Sequence, residues 1–376
     1  MSTILSLESE IDNVCRLARR RLDDMATKGE TVNLQHWTAY FAFDVVCTLG
    51  IGGPLGFIEQ GIDVKGIIKS IHDLFFMSSI FGDIPGQMVW LRNPISQALS
   101  RLAGHTSSNA GRDFAIWLFS QVQSRLQAPS DLERRPDMLD HFISMKEADG
   151  RPVDFPGVVV EAGNLIGAGA DTTAAGISSV LGELVRHPED YKAVQREVDE
   201  IYARGDIQAH CMIDYKTAEK LPWLSACVKE ALRLTPSIVW QLPRHVPDEG
   251  ITIDGHYIPA SAVVSLSPYA ANRDEIVFGD DASEWNPGRY IPGNKGVTDE
   301  YVRNIEKFDT TFGYGSRTCI GRNLALVETY RFVVEFCHRY DVAPVNAAVP
   351  YRTISQWFVV NKDFNVVLKR RQSVKK

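Results

Sequence analysis

The sequence has 376 residues, of which 44% are hydrophobic, and its formal net charge is -7 at neutral pH. This length and composition predict a globular chain with a large buried core, and the negative charge argues against a surface that coats nucleic acid. The six cysteines form no CxxC pair, which is typical of a reducing compartment and not of a disulfide-stapled secreted scaffold.

Residues 1–20 have the spacing of an amphipathic helix, without the apolar core of a signal peptide. Two later stretches, 37–58 and 158–185, are long enough to be mistaken for membrane spans. Asp44 interrupts the first, and Glu161, Asp171 and Glu183 interrupt the second. Charged groups are expensive in lipid, so both stretches are predicted to be buried core helices.

Helical periodicity dominates the first 240 residues, without a repeat or linker, and this predicts a single domain over residues 1–376. The fold class is mainly α with minor β. The longest helix is predicted to begin near Pro156, which suits a first turn, and to end before His187-Pro188. Residues 127–156, punctuated by proline and glycine, are the most loop-like segment.

Two pairs of strands are predicted in the second half of the chain. Ile251–Ile253 and His256–Ile258 flank Asp254-Gly255, a signal for a hairpin with a type I′ turn. Val359-Val360 and the segment 364–368 have the composition of a second pair.

Residues 312–321, with the sequence FGYGSRTCIG, carry the strongest chemical signal. Glycines around one cysteine allow a tight loop whose backbone N–H groups point at the sulfur of Cys319, and Gly321 opens an apolar helix. A cysteine at a helix N-terminus is favoured as thiolate. The other five cysteines are interpreted as structural or incidental thiols: Cys15, Cys47, Cys211, Cys227 and Cys337.

This segment resembles the haem-binding signature of cytochromes P450 at every fixed position. Those positions are Phe312, Gly315, Arg317, Cys319 and Gly321. The resemblance implies heme b with Cys319 as the axial thiolate ligand of the iron, and a loop in which Phe312, Gly313 and Gly321 contact the cofactor.

The sequence Ala168-Gly169-Ala170-Asp171-Thr172-Thr173 resembles the oxygen-activation motif of the same family. Small side chains at Ala168 and Gly169 leave room for a bound diatomic molecule, and Asp171 and Thr172 place an acid beside a hydroxyl for proton relay. A run of small residues in a helix is otherwise explained by a close contact with another helix.

Glu230 and Arg233, followed by Thr235-Pro236, resemble the Glu-x-x-Arg helix of the family. There the pair forms a buried network with a later arginine, which the resemblance assigns to Arg289. Gly288 stands where an acidic residue usually precedes that arginine. The same spacing recurs at Glu183/Arg186, Glu300/Arg303 and Glu328/Arg331, which are interpreted as ordinary exposed pairs.

Arg244 and Arg317 match arginines that commonly bind the haem propionates, since a planar guanidinium suits a carboxylate. Residues 236–242 resemble a stretch that faces substrate, although a core role for Ile238, Val239 and Trp240 is nearly as plausible.

The resemblance covers the whole chain and is closest to fungal secondary-metabolism P450s of the pisatin demethylase-like group. Members of the family carry a membrane anchor, the first strands and early helices ahead of the part that this sequence matches. The expected fold is therefore a cytochrome P450 fold without those parts, with haem partly exposed and one sheet edge unpaired. The family implies the endoplasmic reticulum membrane, whereas a chain without the anchor is expected to be cytosolic.

The leading functional hypothesis is a monooxygenase that inserts one atom of O2 into an apolar small molecule. Electrons would come from NADPH-cytochrome P450 reductase, because no GxGxxG opens a strand-helix unit of a nucleotide-binding module. No nucleic-acid partner is expected. Two alternatives remain: an inactive remnant without stable haem, and a P450-fold isomerase or dehydratase, which the Asp171-Thr172 pair disfavours. Terpenoid, polyketide, alkaloid and phenolic substrates all stay open.

Overall fold

Helices form most of the computed structural model, which describes residues 2–5, 7–81, 89, 93–95, 98, 107–127, 137–205, 207–208, 211–355 and 357–371. In that part of the chain, small antiparallel sheets lie beside the helices. The prediction of a mainly α fold with minor β is confirmed.

The helices are α1 Ser2–Leu5, α2 Glu8–Lys28, α3 Leu34–Ile51, α4 Phe57–Gln60, α5 Ile67–Phe81, α6 Ser107–Gln127, α7 Met138–Ser144, α8 Phe155–Arg186, α9 Pro188–Arg204, α10 Tyr215–Ala218, α11 Pro222–Leu234, α12 Pro268–Ala271, α13 Glu275–Phe278, α14 Asp299–Phe308 and α15 Arg322–Arg339. The strands are β1 Thr31–Asn33, β2 Arg244–His245, β3 Ile251–Ile253, β4 His256–Ile258, β5 Val263–Val264, β6 Tyr340–Pro344, β7 Arg352–Ser355, β8 Val359–Lys362 and β9 Asn365–Arg370.

Helix α8 is the long helix predicted from the sequence, and both of its ends agree with the sequence signals. The side chain of Asp154 accepts a 2.8 Å hydrogen bond from the N–H of Gly157, and Pro156 lies in the first turn. The helix ends before Pro188, which cannot follow a helical residue without a clash. Its 32 residues span about 48 Å at a rise of about 1.5 Å per residue.

The centre of the core is the contact between α8 and α3. Helix α3 is buried on nearly all sides, which explains why its sequence is apolar throughout. Asp44 is fully buried there, and its carboxylate accepts hydrogen bonds of 2.9 Å from the N–H groups of Gly56 and Ile58. Asp44, the residue that argued against a membrane span in this stretch, thus holds the turn between α3 and α4 in place. Among the described helices, none combines the length and apolarity of a membrane span.

The strands beside the helices confirm one prediction and overturn another. β3 pairs with β4 through a turn in which Asp254 and Gly255 have φ angles of 49° and 76°, as a type I′ turn requires. The predicted pairing of residues 359–360 with 364–368 is wrong. β8 pairs with β7, whereas β9 lies between β1 and β6. The partner of β9 on one side thus comes from the other end of the chain.

The segment 127–156, predicted to be the most loop-like part of the chain, contains a helix that its proline and glycine content did not predict. Helix α7 begins after a capping box in which Asp137 and Asp140 each bond the other's backbone N–H, at 3.2 and 3.0 Å. Residues 128–136 lie outside the described part of the chain.

The expectation that Glu328 and Arg331 form an ordinary exposed pair is also wrong. Both side chains are buried on α15, and Arg331 instead forms ion pairs with Glu8, at 3.4 Å, and with Asp12. Helix α2 packs against this face of α15 and supplies both carboxylates.

Candidate functional site

The cysteine loop connects the end of α14 to the start of α15, and its glycines set its shape. Gly313 and Gly315 have φ angles of 73° and 71°, a region that other residues enter at a cost. The N–H of Cys319 donates a 2.8 Å hydrogen bond to the carbonyl oxygen of Phe312, which closes the loop. Gly321 is the N-cap residue of α15.

Cys319 is exposed, unlike most of the other cysteines in the described part of the chain. Cys15, Cys47 and Cys227 are buried, and burial raises the pKa of each thiol well above its ordinary value. Burial likewise raises the pKa of Cys337 to about 12. Those four thiols are held neutral in the core, whereas the sulfur of Cys319 is exposed just before the N-terminal end of α15.

Donor chemistry and loop geometry at Cys319 fit a haem iron. A sulfur ligand requires an accessible side chain, and the side chains of Tyr314, Cys319 and Ile320 in this loop are all exposed. A Cβ at Gly321 would lie 3.8 Å from the sulfur of Cys319, which is an ordinary van der Waals contact, so that sulfur alone does not require glycine here.

Helix α8 places Thr172 and Asp171 on different faces. Thr172 is partly exposed, and its hydroxyl donates a 2.7 Å hydrogen bond to the carbonyl oxygen of Ala168. Ala168 is exposed, whereas a Cβ at Gly169 would approach a methyl carbon of Val46 on α3 to 3.0 Å. Gly169 therefore allows close packing of α8 on α3, which is the alternative explanation of the small-residue run.

Asp171 faces away from solvent, towards α5. Its side chain is 4% exposed, and its Oδ1 lies 2.8 Å from Nε2 of His72. Burial raises the pKa of Asp171, and the hydrogen bond and charge of His72 oppose that increase only in part. The sequence analysis missed His72, because it lies 99 residues earlier and no local motif marks it.

Glu230, Arg233 and Arg289 meet in a buried ion network. Nε of Arg233 lies 2.7 Å from one carboxylate oxygen of Glu230, and Nε of Arg289 lies 3.1 Å from the other. Other guanidinium N–H groups of the two arginines donate to main-chain carbonyls, including those of Ala282 and Phe278, and Arg289 also pairs with Asp281 at 3.0 Å. The network joins α11 to the segment 278–289, and it satisfies charges that would otherwise be costly in the core.

Arg244 and Arg317 are both exposed, in β2 and in the cysteine loop respectively. Arg244 donates a 2.8 Å hydrogen bond to the carbonyl oxygen of Pro243. Within the described residues neither guanidinium has a carboxylate partner, so both are available to an anionic group.

Aromatic side chains from separate segments meet beside α8. The ring centroids of Phe75 and Trp357 lie 5.5 Å apart, and those of Trp240 and Trp357 lie 6.4 Å apart in a stacked arrangement. Phe75 also packs edge-on against Phe358, at 4.8 Å. We call these four residues the aromatic cluster. Trp240, Trp357 and Phe75 are each partly exposed, so the cluster presents apolar surface.

Comparisons with known proteins agree with this geometry. Cytochrome P450 monooxygenase cicH of Emericella nidulans is 31% identical, and the match covers 100% of this chain and 73% of that protein. Cytochrome P450 monooxygenase mpaDE of Penicillium roqueforti is 29% identical, but the chain spans only 43% of its length. Cytochrome P450 monooxygenase ACRTS1 of Alternaria alternata is 28% identical, with 99% of this chain and 96% of that protein covered.

The crystal structure of the cytochrome P450DA heme domain superposes with a TM-score of 0.76 at 16% identity, over 97% of this chain and 73% of that one. The family model described as cytochrome P450 matches residues 1–368. The resemblance noted in the sequence is thereby confirmed, and the chain belongs to the cytochrome P450 family.

Proposed function

We propose that this chain is a haem-thiolate monooxygenase of fungal secondary metabolism, which inserts one atom of O2 into an apolar small molecule. The observation that carries the proposal is the exposed thiol of Cys319 at the start of α15, in a loop shaped by two glycines with positive φ. The relatives named cytochrome P450 monooxygenase support it. Heme b, when bound, supplies the oxidative chemistry that a thiolate ligand favours.

The cysteine loop and β2 hold the cofactor in this proposal. Cys319 would provide the sulfur that binds the iron, and Phe312, Gly313 and Gly321 would keep the loop backbone in place around it. Arg244 and Arg317 bind the propionates, because both guanidiniums are exposed and lack an internal carboxylate partner among the described residues. Ala168 and Gly169 on α8 are the other two residues that would contact the cofactor.

Asp171 and Thr172 handle the protons that the reaction consumes. The hydroxyl of Thr172 is held by the carbonyl of Ala168 on the partly exposed side of α8, and the carboxyl of Asp171 is held on its buried side. One acid and one hydroxyl at adjacent positions can pass a proton from the protein interior towards the reacting oxygen.

The aromatic cluster supplies apolar surface for the substrate, and NADPH-cytochrome P450 reductase supplies the electrons. Glu230, Arg233 and Arg289 act structurally, since they are buried and fix the segments on either side. The family implies an enzyme of the endoplasmic reticulum membrane.

The decisive experiment is a reduced-plus-carbon-monoxide difference spectrum of the haem-supplemented chain, with Cys319→Ser as the matched variant. We expect a band near ~450 nm that the substitution abolishes. A chain that takes up no haem, or whose band is unaffected by Cys319→Ser, would contradict the proposal. Turnover that requires neither O2 nor NADPH would instead indicate an isomerase or dehydratase.

A further inference from the structure

His72 on α5 and Asp171 on α8 form the only carboxyl–imidazole contact at the oxygen-activation motif within the described chain. Nε2 of His72 lies 2.8 Å from Oδ1 of Asp171. The two residues differ sharply in exposure, because the side chain of His72 is 30% exposed and that of Asp171 is 4% exposed. The imidazole is therefore the member of the pair that solvent reaches.

The charges around His72 come from three elements. Asp171 faces it from α8, Asp73 lies next to it on α5, and Asp63 lies in the turn before α5. Asp73 is already paired with Lys69, and Asp63 accepts backbone hydrogen bonds at the start of α5. Asp171 is thus the carboxyl group that bonds the imidazole directly.

The pair holds one proton more firmly than an isolated histidine would. Burial by itself lowers the pKa of His72, but the hydrogen bond and negative charge of Asp171, with those of Asp63 and Asp73, outweigh burial and raise it. Burial also raises the pKa of Asp171. Because both members resist losing the shared proton, they titrate as a coupled unit.

The second carboxylate oxygen of Asp171 has no hydrogen-bond partner in the described chain. Asp171 lines a small cavity together with His72, Thr38, Ser178 and Asn361. The cavity is about the size of one water molecule and has several polar groups on its wall, which is the setting in which a buried water is stable. The free oxygen of Asp171 therefore has room for a water, and Oδ1 is left to His72.

We propose that His72 is the residue through which Asp171 is supplied with protons from solvent. The proton moves from Nε2 of His72 to Oδ1 of Asp171, and the neutral imidazole then takes up a new proton from solvent. Asp171 passes its proton on to the reaction, and the carboxylate is restored. No electrons move in these steps. His72 acts through Asp171 and is a positioning residue rather than a catalytic one.

This inference rests on the proposed monooxygenase function, but its first test does not. In the haem-loaded protein, the pKa of each histidine is measured by NMR of the imidazole carbons, in the wild type and in Asp171→Asn. We expect the pKa of His72 to fall in Asp171→Asn, whereas the imidazole resonances of His256, exposed on β4, should be the same in both proteins at every pH. A His72 that titrates identically in both proteins overturns the proposal.

The second test uses His72→Gln, whose side-chain amide can still donate to Asp171 but cannot carry a proton across. His256→Gln is the matched control. We expect product formed per NADPH oxidised to fall at least about tenfold in His72→Gln, with a larger solvent deuterium isotope effect and a loss of the wild-type pH dependence. The control should behave as the wild type.

The two proposals fail in different ways. If the wild type binds haem but lacks the ~450 nm band, the monooxygenase proposal fails, while the NMR titration of the same haem-loaded protein still decides whether the pair is coupled. If the band is intact in His72→Gln and its product yield and pH profile match the wild type, His72 is merely a structural contact and the inference is overturned.

Discussion

The hydroxyl of Ser237 donates a hydrogen bond of 2.6 Å to the main-chain carbonyl oxygen of Thr172, in the middle of α8. The carbonyl oxygen of Ser237 in turn accepts a 3.0 Å hydrogen bond from the N–H of Val359. Ser237 therefore joins the long helix to the segment after α11 and to β8. The aromatic cluster spans the same segments, through Trp240 and Trp357.

Ser237→Ala removes the tether to Thr172 without adding bulk. We expect the free energy of unfolding to fall by about 1 kcal/mol, the usual net value of a protein hydrogen bond. Urea unfolding measures this value. Ser144→Ala is the control, because that hydroxyl bonds a carbonyl of its own surface helix. If the two substitutions lowered the free energy of unfolding equally, the hydrogen bond from Ser237 to Thr172 would contribute no more than a hydrogen bond within a surface helix.

Glu230→Ala leaves the buried guanidinium of Arg233 without its carboxylate, and it removes one of the two carboxylate partners of Arg289, the other being Asp281. We expect a loss of about 3–5 kcal/mol in unfolding free energy, because an uncompensated buried charge is costly. Thermal unfolding and haem retention after gel filtration report the effect. The control is Glu189→Ala, which breaks an exposed i,i+3 pair with Lys192 and should leave both readouts unchanged. A mild effect at Glu230 would contradict the structural role of the network.

Glu328 is buried on α15, and burial alone raises its pKa well above the ordinary value of 4.5. The folded state therefore holds the proton at pH values where the unfolded chain has released it. This contribution to stability is fully present below the unfolded pKa and is lost as pH rises through the folded pKa. Glu328→Gln stays uncharged at all pH values.

We therefore expect Glu328→Gln to be more stable than the wild type at neutral pH, with the difference vanishing below the ordinary carboxyl pKa. Urea unfolding across a pH series measures it. Glu300→Gln, at an exposed position of α14, is the control and should give a pH-independent difference. If the difference in unfolding free energy between Glu328→Gln and the wild type did not change with pH, Glu328 would not be a neutral buried acid in the folded state.

Trp357 has a φ angle of 145°, a region that favours glycine. Two variants separate backbone strain from the loss of the ring, because Trp357→Ala and Trp357→Gly both remove the stack with Trp240 and Phe75. We expect the glycine variant to be more stable than the alanine variant by about 1 kcal/mol, since only glycine relieves the strain. Chemical unfolding compares the two directly. An alanine variant at least as stable would show that the backbone is unstrained.

The sequence identified the parts of the candidate site that depend on neighbouring residues. The glycine spacing around Cys319 is local, and so are the proline and capping signals at the ends of α8 and the Asp254-Gly255 turn. Each of these signals fixes a backbone conformation within a few residues of itself, so they can be interpreted without the fold. The capping box of α7 is an equally local signal, but the prolines around it led to the prediction of a loop instead of a helix.

The contacts that hold the fold together and complete the site join residues distant in the chain. His72 meets Asp171, Arg331 meets Glu8, and β1 pairs with β9, and in each case the partners come from elements far apart in sequence. Any acid can pair with any nearby base, so only the path of the chain selects the partner. The sequence therefore determined which residues carry the chemistry, and the tertiary structure decided which of them are buried, paired and reachable by solvent.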